Sequence, residues 1–192
     1  MTSDPLIIQG GMGAGVSGWP LARAVSRLGQ LGVVSGTALD TILARRLQGG
    51  DADGSLRRAL AHFPSPEAVS RVLAQYFVPG GKSPEQPFRG VPLFTAVPTI
   101  AQQELAVIAG FVEVWLAKEG HDGVVGINFL EKIQLPLLPL LYGALLARVD
   151  YVLVGAGIPR EIPGVLDQLA QHESVSIRLH VEGGGGDDEY RL

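Results

Sequence analysis

An apolar strand that runs directly into a glycine-dense turn constrains this chain more than any other feature. Leu6-Ile7-Ile8-Gln9 leads into Gly10-Gly11-Met12-Gly13-Ala14-Gly15-Val16-Ser17-Gly18, and a helix-like segment and a second strand, Leu31-Gly32-Val33-Val34-Ser35-Gly36, follow at once. Glycines at the carboxyl end of a strand let the backbone come close to a flat or phosphorylated ligand and present N–H groups to it. The segment predicts a β-α-β opening with a cofactor site at the end of its first strand.

Strands and helices continue to alternate, which predicts a parallel sheet covered by its crossover helices. Pro20 suits the first turn of a helix carrying Leu21, Ala24, Val25 and Leu28, with Gly29 as its stop. Asp40 to Leu47 reads as the next helix, closed by Gly49-Gly50, and the pattern then weakens from Asp51 to Arg58. Ser65-Pro66-Glu67 starts a helix with Val69, Val72, Leu73 and Phe77 on one face, ended by Pro79-Gly80-Gly81. Residues 49–98 therefore read as a helical insertion. Thr99-Ile100-Ala101-Gln102 fits a capping box ahead of an apolar stripe of Leu105, Ile108, Ala109, Val112 and Leu116. Val124 to Phe129 is expected as the third strand, Pro136 to Ala147 as its helix, Tyr151 to Val154 as the fourth strand and Pro163 to Gln171 as the helix after it. Val175 to Val181 alternates apolar and polar residues and is expected as a fifth strand, with Ser176, Arg178, His180 and Glu182 on its polar face.

Four segments taken in order, Ile7-Ile8-Gln9-Gly10-Gly11-Met12-Gly13, Gly32-Val33-Val34-Ser35-Gly36-Thr37, Gly126-Ile127-Asn128-Phe129 and Val154-Gly155-Ala156-Gly157-Ile158-Pro159, resemble the nitronate monooxygenase (2-nitropropane dioxygenase-like) family. The resemblance runs from about residue 5 to residue 183. It implies an FMN-dependent oxidoreductase on a (β/α)8 barrel, oxidising a nitronate or related activated carbon substrate with oxygen. It implies cofactor-binding roles for Gly10, Gly11, Met12, Gly13, Ser35, Gly36 and Asn128, and a substrate-facing role for Gly155 and Ala156.

Only the front part of such a barrel is covered. The chain has 192 residues, against about 250 for a complete eightfold barrel. The expected fold is thus α/β, an incomplete (β/α)8 barrel of roughly five strands over residues 1–183, with residues 184–192 as a loose tail. The family's catalytic histidine, in a segment resembling E-G-x-x-A-G-G-H, and its late glycine-rich phosphate loops have no counterpart, and Glu182-Gly183-Gly184 matches only superficially. No catalytic residue is therefore assigned. A truncated or split enzyme is expected, with a homo-oligomer or a complementing C-terminal half-barrel as partner. Five strands cannot close a ring, so the fifth is expected at an open edge.

Two other readings stand beside this one. The chain could be a non-catalytic barrel fragment or interaction module. It could also be an NAD(P)-binding Rossmann-like protein, because Gly13-Ala14-Gly15-Val16-Ser17-Gly18 matches G-x-G-x-x-G after a strand. Against the Rossmann reading, Pro20 would fall inside a helix starting near Gly15, and no acidic residue ends the second strand.

Composition narrows the remaining classes. With 19 acidic and 15 basic residues and no basic cluster, a nucleic-acid partner is not expected. The absence of cysteine excludes disulfides, thiolate metal sites and a cysteine nucleophile. His62, His121 and His172 form no metal-binding spacing and read as surface residues, while Ser17, Ser35 and Ser65 lack an arranged histidine partner. Met1-Thr2-Ser3-Asp4-Pro5 has no signal-peptide character, so a cytoplasmic location is expected. Ile133 to Ala147 is uncharged, but it contains Pro136 and Pro139 and falls short of the roughly 20 residues needed to span hydrocarbon. A buried helix explains it better.

Overall fold

The computed structural model describes residues 5–179 and the backbone of residues 190–191. Four parallel strands, β1 (Ile8–Gln9), β2 (Leu31–Ser35), β3 (Val125–Leu130) and β4 (Tyr151–Gly155), form one sheet in the order β1-β2-β3-β4. Each strand pairs with the next in sequence, in registers such as Ser35 with Asn128 and Leu130 with Gly155. A doubly wound dinucleotide fold reverses strand order beside its first strand. No such reversal occurs among the described strands.

The helices are α1 (Trp19–Ser26), α2 (Leu39–Gln48), α3 (Ser55–Leu60), α4 (Pro66–Tyr76), α5 (Ile100–Lys118), α6 (Leu137–Leu146) and α7 (Ile162–Ala170). Their starts follow local chemistry. Pro20 sits in the first turn of α1, the hydroxyl of Ser65 accepts the Ala68 amide at the start of α4, and Thr99 and Gln102 complete a capping box on α5. The helix α3, which replaces the weak stretch after Asp51, owes its start to that residue. The carboxylate of Asp51 accepts the amides of Leu56 and Arg57 at 2.9 and 3.0 Å.

The central element is α5, packed by α1, α2, α3, α4 and α6. Its length and apolar composition would suit a membrane span, yet most of it is buried inside the molecule, as expected of a core helix. Against α6 it makes a backbone-to-backbone crossing. A Cβ at Gly110 would lie 2.4 Å from the Leu140 carbonyl oxygen, and one at Gly143 would lie 1.9 Å from that of Val107. Residues 49–98 share this core rather than standing apart, since Leu56, Ala59, Leu60, Ala68, Val69, Val72 and Tyr76 all belong to it.

The expected fifth strand differs most. Among the described residues of that segment, Val175 to Leu179, Arg178–Leu179 is a strand (β5), and it pairs antiparallel with Tyr190–Arg191 (β6) in a separate two-stranded ladder. The parallel sheet of the described residues therefore stops at β4. Ile177 is nevertheless buried in the core, so the alternating pattern reported burial correctly without reporting pairing. Two residues of the expected tail, Tyr190 and Arg191, are thereby held in a ladder, while His180, Val181, Glu182 and Gly183 to Glu189 lie outside the described residues.

Candidate functional site

Because all four strands run parallel, their carboxyl ends lie along one rim, and this rim is where the glycine turn sits. Ser17 closes the turn. Its hydroxyl accepts the Met12 amide at 3.0 Å and donates to the Gly10 carbonyl at 3.2 Å. The Ser17 amide donates to the Met12 carbonyl, and the Ser17 carbonyl accepts the Ser35 amide at 2.8 Å. A buried serine thus uses all of its polar groups to fold the turn and to tie it to the end of β2. Gly13 and Gly15 take left-handed backbone angles, φ +73° and +70°, which a glycine adopts without strain.

From β3, the side chain of Asn128 donates to the Gly11 carbonyl at 3.0 Å. Its backbone carbonyl accepts the Gly36 amide at 2.8 Å. Gly10, Gly11, Met12, Ser35, Gly36 and Asn128 are therefore linked, through Ser17 and Asn128, into one hydrogen-bonded cluster assembled from three strand ends, while Gly13 bonds only to Val16 within the turn. Gln9 adds a further tie, accepting the Val33 amide and donating to the carbonyls of Gly10 and Val33.

The cluster divides into two layers. Gly11, Ser35 and Gly36 are buried under protein atoms, whereas Gly10, Met12 and Gly13 face outward and Asn128 is half-buried. At Gly11 a Cβ would lie 2.5 Å from the Val34 carbonyl oxygen, and at Gly36 one would lie 2.4 Å from the Phe129 ring. These two glycines are thus required by packing. Gly10 is different, because a Cβ there would meet only the Met12 side chain, at 4.0 Å. Gly10 thus faces open space outside the packed layer.

Gly155 and Ala156 lie further along the same rim, past β3, and no hydrogen bond joins them to the glycine turn. Gly155 accepts the Glu131 amide at 2.8 Å, and Ala156 is exposed in a left-handed conformation, φ +62°. A cavity of about 440 Å³ opens beside them, with Leu137, Val154 and Ile162 as apolar wall and Glu131, Arg160 and Glu161 as charged border. Its border carries both signs of charge and suits no single ion.

Ser17 and Gln9 were not evident from sequence as site-forming residues. A serine at the close of a glycine turn is the residue type that bonds its own loop, and that is its signal. The three described histidines have separate occupations: His62 stacks on Trp115, His121 bonds the Ala117 carbonyl and the Gly123 amide, and His172 meets the Tyr142 hydroxyl at 3.0 Å. No group of three or more potential metal ligands occurs among the described residues. Compared with protein families, with curated proteins and with solved structures, the chain finds no match.

Proposed function

We propose that strands β1–β4 form part of an FMN-dependent oxidoreductase of the nitronate monooxygenase type. The observation that supports this reading most is the bond from Asn128 to the Gly11 carbonyl. It ties a half-buried side-chain amide to the buried Gly11, next to the outward Gly10, at the carboxyl rim of a parallel sheet, where ligands of such sheets bind. Sequential strand order is the order a singly wound barrel requires.

The residues fit the ring end of FMN. The exposed Gly10 backbone can approach a flat ring, and Asn128, whose amide nitrogen is spent on Gly11, keeps its oxygen for a ring N–H. The phosphate end finds less, because residues 10–18 contain no lysine or arginine. FMN, when bound, supplies the redox chemistry. The chain's own share is to position the ring, and Gly155 and Ala156 border the place where substrate would meet it. A complementing C-terminal half-barrel would contribute the phosphate grip and the catalytic base.

Titration of FMN by flavin fluorescence quenching tests the reading. Saturable binding with a Kd weaker than ~1 μM, or less than about 8 kcal/mol, is expected, and Asn128→Ala weakens it further. Absence of saturable quenching up to about 1 mM, or binding that Asn128→Ala leaves unchanged, removes the reading. The alternative of an interaction module draws on one observation, the consecutive exposed apolar residues Leu6, Ile7 and Ile8 at the β1 edge. A folded chain that binds no FMN but recruits a second chain through that edge would favour it.

A further inference from the structure

At the opposite end of the strands from the glycine turn, the structure carries a second groove whose chemistry points to a ligand. Its volume is about 460 Å³ and it lies where α5 and α6 end, beside the connection between α3 and α4. One wall is aromatic. The rings of His62 and Trp115 stack with centroids 4.7 Å apart and planes 21° apart, backed by the buried Phe111.

The border of the groove is cationic. Lys118 and Arg148 line it, and its acid Glu119 is held by two arginines, Arg23 at 3.3 Å and Arg58 at 2.6 Å. Lys118 also pairs with Asp150 at 2.5 Å. Of the charged residues that line the groove, Lys118 and Arg148 outnumber Glu119, a local charge of +1 (2 − 1) on a chain whose net charge is −4. Arg148 itself sits just past the end of α6 with a left-handed backbone, φ +58°, as His172 does after α7.

We propose that this groove binds a small planar aromatic molecule carrying an anionic group, its ring against the His62–Trp115 wall and its anion toward Arg148 and Lys118. Neutralisation of the two helix C-termini accounts for cations here, but not for an aromatic wall between them. A ring on that wall gains stacking and apolar contact, and the anion gains Arg148 together with Lys118, whose ammonium it would share with Asp150. The inference does not rest on the FMN reading, which concerns the other end of the sheet.

Adenosine 5′-monophosphate, rather than FMN, is the test ligand, so that failure here leaves the glycine turn unjudged. AMP should quench tryptophan fluorescence saturably, and equilibrium dialysis should return the same constant. Adenosine and ribose 5-phosphate, each lacking one half of the recognised chemistry, should bind at least tenfold more weakly. Arg148→Glu should weaken AMP at least tenfold with an unchanged urea midpoint, and His62→Ala should weaken it while leaving its salt dependence intact. No saturable binding at about 5 mM, or equal binding of AMP and adenosine, or an unaffected Arg148→Glu variant, overturns the proposal and leaves the cations as helix-end neutralisers only.

Discussion

The carboxylate of Glu113, buried in the middle of α5, accepts the amide of Trp19 at 2.7 Å and so occupies the start of α1, which has no side-chain cap of its own. The second oxygen of Glu113 pairs with Arg46 of α2 at 2.8 Å. One acidic side chain thereby joins three helices directly behind the glycine turn. A negative charge at a helix N-terminus is also favoured by the helix dipole.

Replacing Glu113 by alanine should cost about 2 kcal/mol, because it strands the Trp19 amide and leaves Arg46 without its partner. Glu113→Gln keeps an acceptor for Trp19 and should cost about half as much. Urea unfolding checks both, with the midpoint falling and the slope unchanged. A neutral alanine variant would show that α1 finds its start from packing alone.

Ser17→Ala should cost about 1 kcal/mol, since it removes the side-chain acceptor of the Met12 amide and one of two donors to the Gly10 carbonyl, which keeps the Gln9 amide. Amide exchange gives the specific reading. The Met12 amide should lose protection while core amides such as Val34 keep theirs.

The apolar edge at β1 should drive self-association. Leu6, Ile7 and Ile8 are 92, 63 and 58% exposed in succession, and an open edge strand with apolar residues is a template for pairing with another chain. Ile7→Lys should shift the mass measured by light scattering toward the monomer without loss of fold, because only the Ile7 backbone serves the sheet, its carbonyl accepting the Leu31 amide. A wild-type chain that stays monomeric at every concentration would show that the edge is harmless.

Acid should unfold the chain partly through Glu119. Its hydrogen bonds from Arg58, with the charges of Arg58 and Arg23 beside it, hold its carboxyl below the usual glutamate range. A lowered folded-state value means that the folded chain binds fewer protons. This stabilisation is complete above the ordinary glutamate range and is lost as pH falls through it toward the folded value. Glu104, held by Arg71, acts in the same direction. Urea midpoints measured from neutral to acidic pH should fall, and Arg58→Ala should flatten that fall.

What could be read in the sequence was local. The capping box at Thr99, the cap at Ser65 and the apolar period of α5 depend on neighbours a few residues away, and their boundaries match the structure closely. The helix α3 was obscured because the side chain that starts it, Asp51, precedes it by four residues and itself lies in a left-handed conformation, φ +46°. Strand pairing was the weakest inference. Alternation in Val175 to Leu179 follows burial, with Ile177 buried and Ser176 and Arg178 exposed, but period two is the same whether a strand pairs parallel, antiparallel or hardly at all.

At the candidate site, residue types were legible and their reasons were not. Gly11 and Gly36 stood out as glycines suited to a ligand's approach, yet the atoms that exclude a side chain there belong to Val34 and Phe129. Contacts of this kind join residues far apart in the chain, as Asn128 joins Gly11 across 117 positions, and no short-range pattern reports them.

The crossing of α5 over α6 gives the molecule an uneven tolerance to mutation. Where helices meet through side chains, substitutions at one position can be absorbed by a neighbour's rotamer. At Gly110 and Gly143 the opposing atoms are peptide carbonyls, which have no rotamers to change. Even the smallest side chain at either place must push the two helices apart along their whole contact. Saturation mutagenesis should therefore find two isolated positions that accept nothing else, set among apolar residues that exchange freely for one another.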